Sequence, residues 1–121
     1  MSRRALPALL LMFSGCGLTK NPEPEFPIEF ELPAGAQKRV PYAATLWFAH
    51  PDEVYENGRI IPVAVAQMEC QGQRYNLTLR ADVRSEAVCG VHVKLVSILA
   101  PGSASNPSRV VRGYFSVTKA Q

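Results

Sequence analysis

The stretch FPIEFEL (residues 26–32) alternates without a break. Phe26, Ile28, Phe30 and Leu32 fall on one side of an extended chain, and Glu29 and Glu31 on the other. Successive side chains of a β-strand point to opposite faces, so one apolar and one charged side at a period of two describes a strand half-buried on a core. The same period returns along the chain. PYAATLWFA (41–49) sets Tyr42, Ala44, Leu46 and Phe48 on one side. IIPVAVAQMEC (60–70) reads as a third strand, in which Pro62 marks an edge or a bulge because proline cannot donate to a ladder. RYNLTLRAD (74–82) turns Tyr75, Leu77 and Leu79 inward. VCGVHVKLVSIL (88–99) is rich in β-branched residues and apolar on both faces, which predicts a central strand. RVVRGYFSVT (109–118) places Val111, Phe115 and Val117 on one face.

Between these runs lie breakers. PAGAQKR (33–39), QGQ (71–73) and APGSASNPS (100–108) read as turns and loops, and HPDEVYENGR (50–59) as a polar connection around the turn signal Asn57-Gly58. Ten prolines and eight glycines in 121 residues suit many short elements, and 47% hydrophobic residues suffice for a core. No segment has the 3.6-residue period of an amphipathic helix, and no internal repeat is present. The expected fold is all-β: a single antiparallel β-sandwich of about six to seven strands, immunoglobulin-like or related, spanning residues 26–121.

The charge is small. Of 13 basic residues, Arg3 and Arg4 lie in an N-terminal leader, and the remaining 11 face 10 acidic ones. That balance gives no footprint for nucleic acid. The distribution is uneven, because Glu23, Glu25, Glu29 and Glu31 crowd the early chain and no acid follows Glu86. Two solvated faces explain this as well as a basic edge turned toward a partner.

Residues 1–15 have the parts of a secretory signal peptide: Arg3 and Arg4, the apolar run ALPALLLMF (5–13), then small Ser14 and Gly15. The apolar run is too short for a bilayer, which takes about 20 helical residues. Phe13-Ser14-Gly15-Cys16 resembles the lipobox of bacterial lipoproteins, with Phe13 where that family usually has Leu. The resemblance implies cleavage before Cys16, a diacylglyceryl group on its thiol and acylation of the new amino group. Two or three acyl chains, at about 0.8 kcal/mol per buried CH₂, anchor a protein stably without spanning the membrane. Gly17 rather than Asp after the cysteine implies, on the enteric sorting pattern, the periplasmic leaflet of the outer membrane. Residues 16–25 then form the lipidated start and a tether with Pro22 and Pro24. Such a segment favours extended polyproline II, and ten residues at about 3.1 Å each reach roughly 30 Å. A loop packed on the domain is the other reading of the same residues.

Cys70 and Cys89 remain. In an oxidising compartment they are expected to form a disulfide, which leaves Cys16 as the anchor; free thiols are the alternative. Closing the chain between residues 70 and 89 would add about 3 kcal/mol in the chain-entropy model.

The chain offers little for catalysis. It has no GxSxG, HExxH, P-loop or dinucleotide fingerprint. His92 lies between Val91 and Val93 and reads as a satisfied strand histidine. His50 with Asp52, Glu53 and Glu56 could hold a hard cation, although the spacing is that of an ordinary polar turn. No metal and no cofactor are expected. Trp47 alternates away from Leu46 and Phe48, so it either packs in a second layer or stands out as an anchor for a partner. Tyr55 and Tyr114 share that ambiguity. The acid-free loop 100–109, ending on Arg109 with Arg112 nearby, is the most plausible contact surface.

The layout PIEFEL, PYAATLWF, GRIIPV and RGYFSV is similar to that of small single-domain β-sandwich lipoproteins of bacteria, a group without an established activity to carry over. The expectation is a membrane-anchored, periplasm-facing lipoprotein, not an enzyme, that works by binding a protein. An immunity or inhibitor protein against an antibacterial toxin is the sharpest version. A structural subunit of an envelope or secretion assembly is one alternative, and a glycan- or small-molecule-binding module another.

Overall fold

The computed structural model describes residues 24–120; the leader, Cys16 and most of the tether lie outside them. Seven strands form two antiparallel sheets, a β-sandwich. They are β1 (Ile28–Pro33), β2 (Gln37–Val40), β3 (Ala44–Glu56), β4 (Arg59–Cys70), β5 (Gln73–Arg80), β6 (Val91–Leu99) and β7 (Arg112–Lys119). One sheet has the order β1-β7-β6 and the other β2-β3-β4-β5.

Within the sheets the order is a meander: β2 to β5 are successive neighbours, β6 pairs with β7, and β1 returns to pair with β7 from Ile28↔Val117 to Pro33↔Arg112. Two corners carry the chain between sheets. At one, a turn at Ala34-Gly35 reverses β1 into β2, secured by Ala34 N–H to Val111 O (2.8 Å) and Gly35 N–H to Phe48 O (2.6 Å). At the other, the chain leaves β5 and climbs along the free edge of β6, with Asp82 N–H on Leu95 O and Ser85 N–H on Val93 O. An immunoglobulin sandwich is a Greek key. Of the two topologies expected, immunoglobulin-like or related, this one is the related one.

The core follows the alternation. Ala44, Leu46 and Phe48 of β3 are fully buried, as are Ala64 and Met68 of β4, Val91, Val93 and Leu95 of β6, and Phe115 and Val117 of β7. Phe48 and Phe115 meet edge-to-face across the two sheets, with ring centroids 5.4 Å apart, and Phe30 stacks on Phe115 at 5.9 Å. Val88 closes the core beside β6.

Several details differ from the sequence reading, beginning with PAGAQKR, read as a turn, whose end belongs to β2 (Gln37–Val40) and pairs with β3. HPDEVYE is strand, not connection: β3 and β4 pair out to Glu56↔Arg59, and Asn57-Gly58, both at positive φ, make the hairpin turn. The residues are polar because this arm runs beyond the sheets. β5 pairs as far as Val63↔Arg80, one further bond runs from Ala81 N–H to Pro62 O at 2.9 Å, and beyond that β5 no longer accompanies the arm. Pro62 therefore sits at the last bond to that side, where its missing N–H costs the ladder only at its end. β6 is the last strand of its sheet rather than a central one, its outer edge covered by residues 82–88. A bulge between Leu95 and Ser97 shifts its register, so apolar residues appear on both faces. Tyr42 and Tyr75 are not inward. Tyr42 stands in the β2–β3 turn at positive φ, and Tyr75 is 41% exposed near the end of β5.

Candidate functional site

Strand direction sorts the molecule into two ends. The chain enters at Phe26, whose ring lies 6.3 Å from that of Tyr42. Tyr42 in turn packs on Gly90, where a Cβ would come within 3.1 Å of the ring. Cys70, at the end of β4, is disulfide-bonded to Cys89 in the turn before β6. Ala120 N–H closes the same end on Gly90 O at 3.0 Å. The expected pair is formed, and it ties the four-stranded sheet to the chain entering the three-stranded one.

The opposite end carries the arm and the loop between β6 and β7. Seven large apolar side chains are exposed among the described residues, and five of them gather here: Val54, Tyr55, Ile60, Val83 and Val110. Tyr55, 75% exposed, pairs directly with Ile60, 57% exposed. Val54 and Ile61, the next cross-strand pair, point to the opposite face of the arm. Charge frames this patch. The Tyr55 hydroxyl donates to Glu53 (3.2 Å), and that acceptor raises the phenol above its usual range. Arg80 donates two hydrogen bonds to Glu56 (2.8 and 3.3 Å), which lowers the Glu56 carboxyl below its ordinary range.

A groove of about 450 Å³ opens between the base of the arm and the loop. Pro51, Pro62, Ile98, Pro101 and Val111 are its apolar lining, and Asp52 and Glu53 its acids. The loop is held together by Asn106, 1% exposed, whose Nδ2 donates to Leu99 O and Val110 O. Ser108 adds a hydrogen bond to Asn106 Oδ1 at 2.8 Å. A buried asparagine bridging both stems makes this a built loop rather than a loose one.

The outer edge of the arm is blunted against strand addition at its base. Pro51 has no N–H to offer, and Glu53 N–H is taken by Asp52 Oδ1 at 2.8 Å. Glu53 faces Pro62, so that N–H points away from β4. A free edge with its donors removed resists pairing with another chain.

The remaining candidates are dispersed. Trp47 is half-buried on the outer face of the four-stranded sheet, beside Gln37, Thr45, Gln67, Glu69 and Arg74. Arg112 lies on the other sheet, paired with Glu31 across β1 and β7 at 3.3 Å. Beside it Tyr114 donates to Glu29 at 2.9 Å, which raises the phenol. Arg109 is exposed on the loop. Tyr55 and Arg109 thus share one end of the molecule, while Trp47 and Arg112 look out from opposite faces. His92 Nδ1 sits 2.8 Å from Ser85 O, a satisfied strand histidine. His50 contacts its neighbour's carbonyl, Pro51 O, at 3.0 Å. With Asp52 on Glu53 N–H and Glu56 on Arg80, the four residues of that stretch do not converge. Among the described residues no three His, Cys, Asp or Glu side chains could hold a metal ion together.

The sequence reading missed Val54, because it treated 50–59 as a connection, and Ile60, which it set at the start of a strand without assigning it a face. The signal was present: apolar pairs flank Asn57-Gly58 symmetrically, as in a hairpin. No family model matches the chain, no curated protein matches it, and no solved structure matches it.

Proposed function

We propose that this chain is a lipid-tethered protein of the bacterial envelope that works, without catalysis, by binding a protein partner at its tether-distal end. The observation that carries the reading is the position of the exposed apolar side chains. Val54, Tyr55, Ile60, Val83 and Val110 cluster at the end opposite Phe26, where the chain enters the domain. A scattered exposed leucine or valine means little, whereas adjacent apolar side chains among charges, as Tyr55 and Ile60 are on one face of the arm, suit an interaction surface. An exposed tyrosine beside an isoleucine, with Glu53, Glu56 and Arg80 around them, has the composition of a binding hot spot. With Cys16 acylated and residues 16–25 extended, this end would face away from the membrane, toward a partner in the periplasm. Inhibition of a toxin delivered by a neighbouring cell is the sharpest form of the reading.

The test is affinity capture of the lipidated protein from envelope membranes, with a Tyr55→Ser/Ile60→Ser variant in parallel. Both side chains are exposed, so the variant keeps the fold. The expected outcome is one stoichiometric partner on the parent protein and its loss from the variant. A hot-spot residue is worth about 2 kcal/mol or more, roughly thirtyfold in affinity. A Cys16→Ser chain should leave the membrane fraction. Retention of the partner by the double variant overturns the distal-end reading, and membrane pelleting of Cys16→Ser overturns the lipid anchor.

A further inference from the structure

Two cross-strand rows of outward side chains cross the four-stranded sheet where β2 takes part in it. One runs Gln37, Trp47, Gln67, Asn76, and the other Arg39, Thr45, Glu69, Arg74. Six of these eight line a shallow depression of about 190 Å³, room for a sugar ring rather than a larger ligand. Trp47 is the only aromatic side chain in either row, and its half-exposed ring offers an apolar platform among polar groups. The amides beside it are already oriented. Gln67 Nε2 donates to Asn76 Oδ1 at 3.0 Å, which leaves the Gln67 carbonyl as acceptor and the Asn76 amide as donor. An acetamido group presents the matching donor and acceptor. The second row adds cations. Among the described residues Arg39 has no carboxylate partner, and Arg74 reaches Glu69 only at 3.9 Å with its side chain 70% exposed.

We propose that this face binds an N-acetylated, carboxylate-bearing glycan. One sugar ring stacks on Trp47, its acetamido group meets Gln67 and Asn76, and its carboxylate lies toward Arg39 or Arg74. This site lies on the sheet face, apart from the distal arm, and stands independently of the partner reading above.

Trp47 is the only tryptophan in the chain, so its fluorescence reports on this face alone. The full-length protein is titrated with three probes: the disaccharide of N-acetylglucosamine and N-acetylmuramic acid, di-N-acetylchitobiose, and cellobiose. The expected result is a saturable change in emission with the muramyl disaccharide. Binding of di-N-acetylchitobiose should be about threefold weaker, the size of a lost exposed charge contact. Cellobiose, without acetamido groups, should give no response. Asn76→Ala should weaken the muramyl disaccharide about three- to tenfold, the range of one hydrogen bond. Trp47→Ala should abolish binding by calorimetry; if that half-buried position does not tolerate alanine, the exposed Asn76→Ala variant still decides the matter. No saturable response to the muramyl disaccharide, an equal response to cellobiose, or an unchanged affinity in Asn76→Ala overturns the proposal. Equal affinity for di-N-acetylchitobiose overturns its carboxylate half. The Tyr55→Ser/Ile60→Ser variant should titrate like the parent protein, so the two readings fail separately.

Discussion

Gly113 lies on the inward face of β7, where a side chain would have to share space with two phenylalanines. A Cβ built there comes within 2.7 and 2.8 Å of the Phe115 ring and 3.2 Å of Phe48. The ring has little room to retreat, since Phe48 meets it edge-on and Phe30 stacks against it. Gly113→Ala should therefore destabilise by about 1–3 kcal/mol, the usual cost of overpacking a core. In a domain of this size that lowers Tm by of order 10 °C, and a thermal melt followed by circular dichroism measures it. A second substitution, Phe115→Leu, should recover part of the loss by vacating the space; an unchanged Tm in Gly113→Ala would show that the rings repack freely. At this scale the sequence was readable in one direction only. Alternation named Phe48, Phe115 and Val117 as core residues, because each sits inside an unbroken strand period. It gave no hint that Gly113 must stay small, because that requirement comes from a ring two residues along the same strand and another in the opposite sheet.

The β3–β4 arm is the element with the least support. β5 pairs with it only as far as Val63, so its outer half depends on cross-strand pairs, the Asn57-Gly58 turn and the Arg80–Glu56 ion pair, and a lone two-stranded ribbon is marginal in water. Its survival as an exposed ribbon rests on how its edge is dressed. Pro51 removes one outward donor and Asp52 occupies the next, Glu53 N–H. Asp52→Ala uncovers that donor and removes a charge from an edge that also carries Val54 and Tyr55. The expected outcome is concentration-dependent self-association, visible by sedimentation velocity or light scattering, with little change in Tm. A variant that stays monomeric at every concentration would mean that Pro51 protects the edge alone. The arm was half legible. Asn57-Gly58 placed the turn correctly, while the charged run before it disguised a strand as a loop. Polar residues on both faces are the mark of an exposed ribbon, yet composition cannot separate a ribbon from a connection until its partner strand is known.

For the whole molecule, the disulfide matters more than its single bond suggests. Cys70 and Cys89 lie 19 residues apart and join the two sheets at the end where the chain enters. The closed loop contains β5 and the segment that covers the edge of β6, so opening it frees one corner of the sandwich. Reduction should lower stability by about 3 kcal/mol in the chain-entropy model. Comparison of urea unfolding with and without reductant measures this directly, and native-state hydrogen exchange should show β5 and residues 82–88 losing protection before β3 and β7. Equal midpoints in the two conditions would mean that the sandwich closes fully without the bridge.

The sequence alone determined that the chain is all-β, the centres of six of its seven strands, the buried face of several of them, and which two cysteines pair, while β2 read as a turn and the outer half of β3 as a connection. These are local matters: a period of two, turn residues at their places, and a parity count. Strand order, the pairing of β1 with β7, and the placement of the apolar patch at the end opposite the chain entry were decided only by the tertiary structure. So was the amide row around Trp47, whose members come from four strands and are separated by up to 39 positions in the chain. Register and sheet pairing join residues by hydrogen bonds and burial between distant segments, and no local pattern encodes which distant segment will supply the partner.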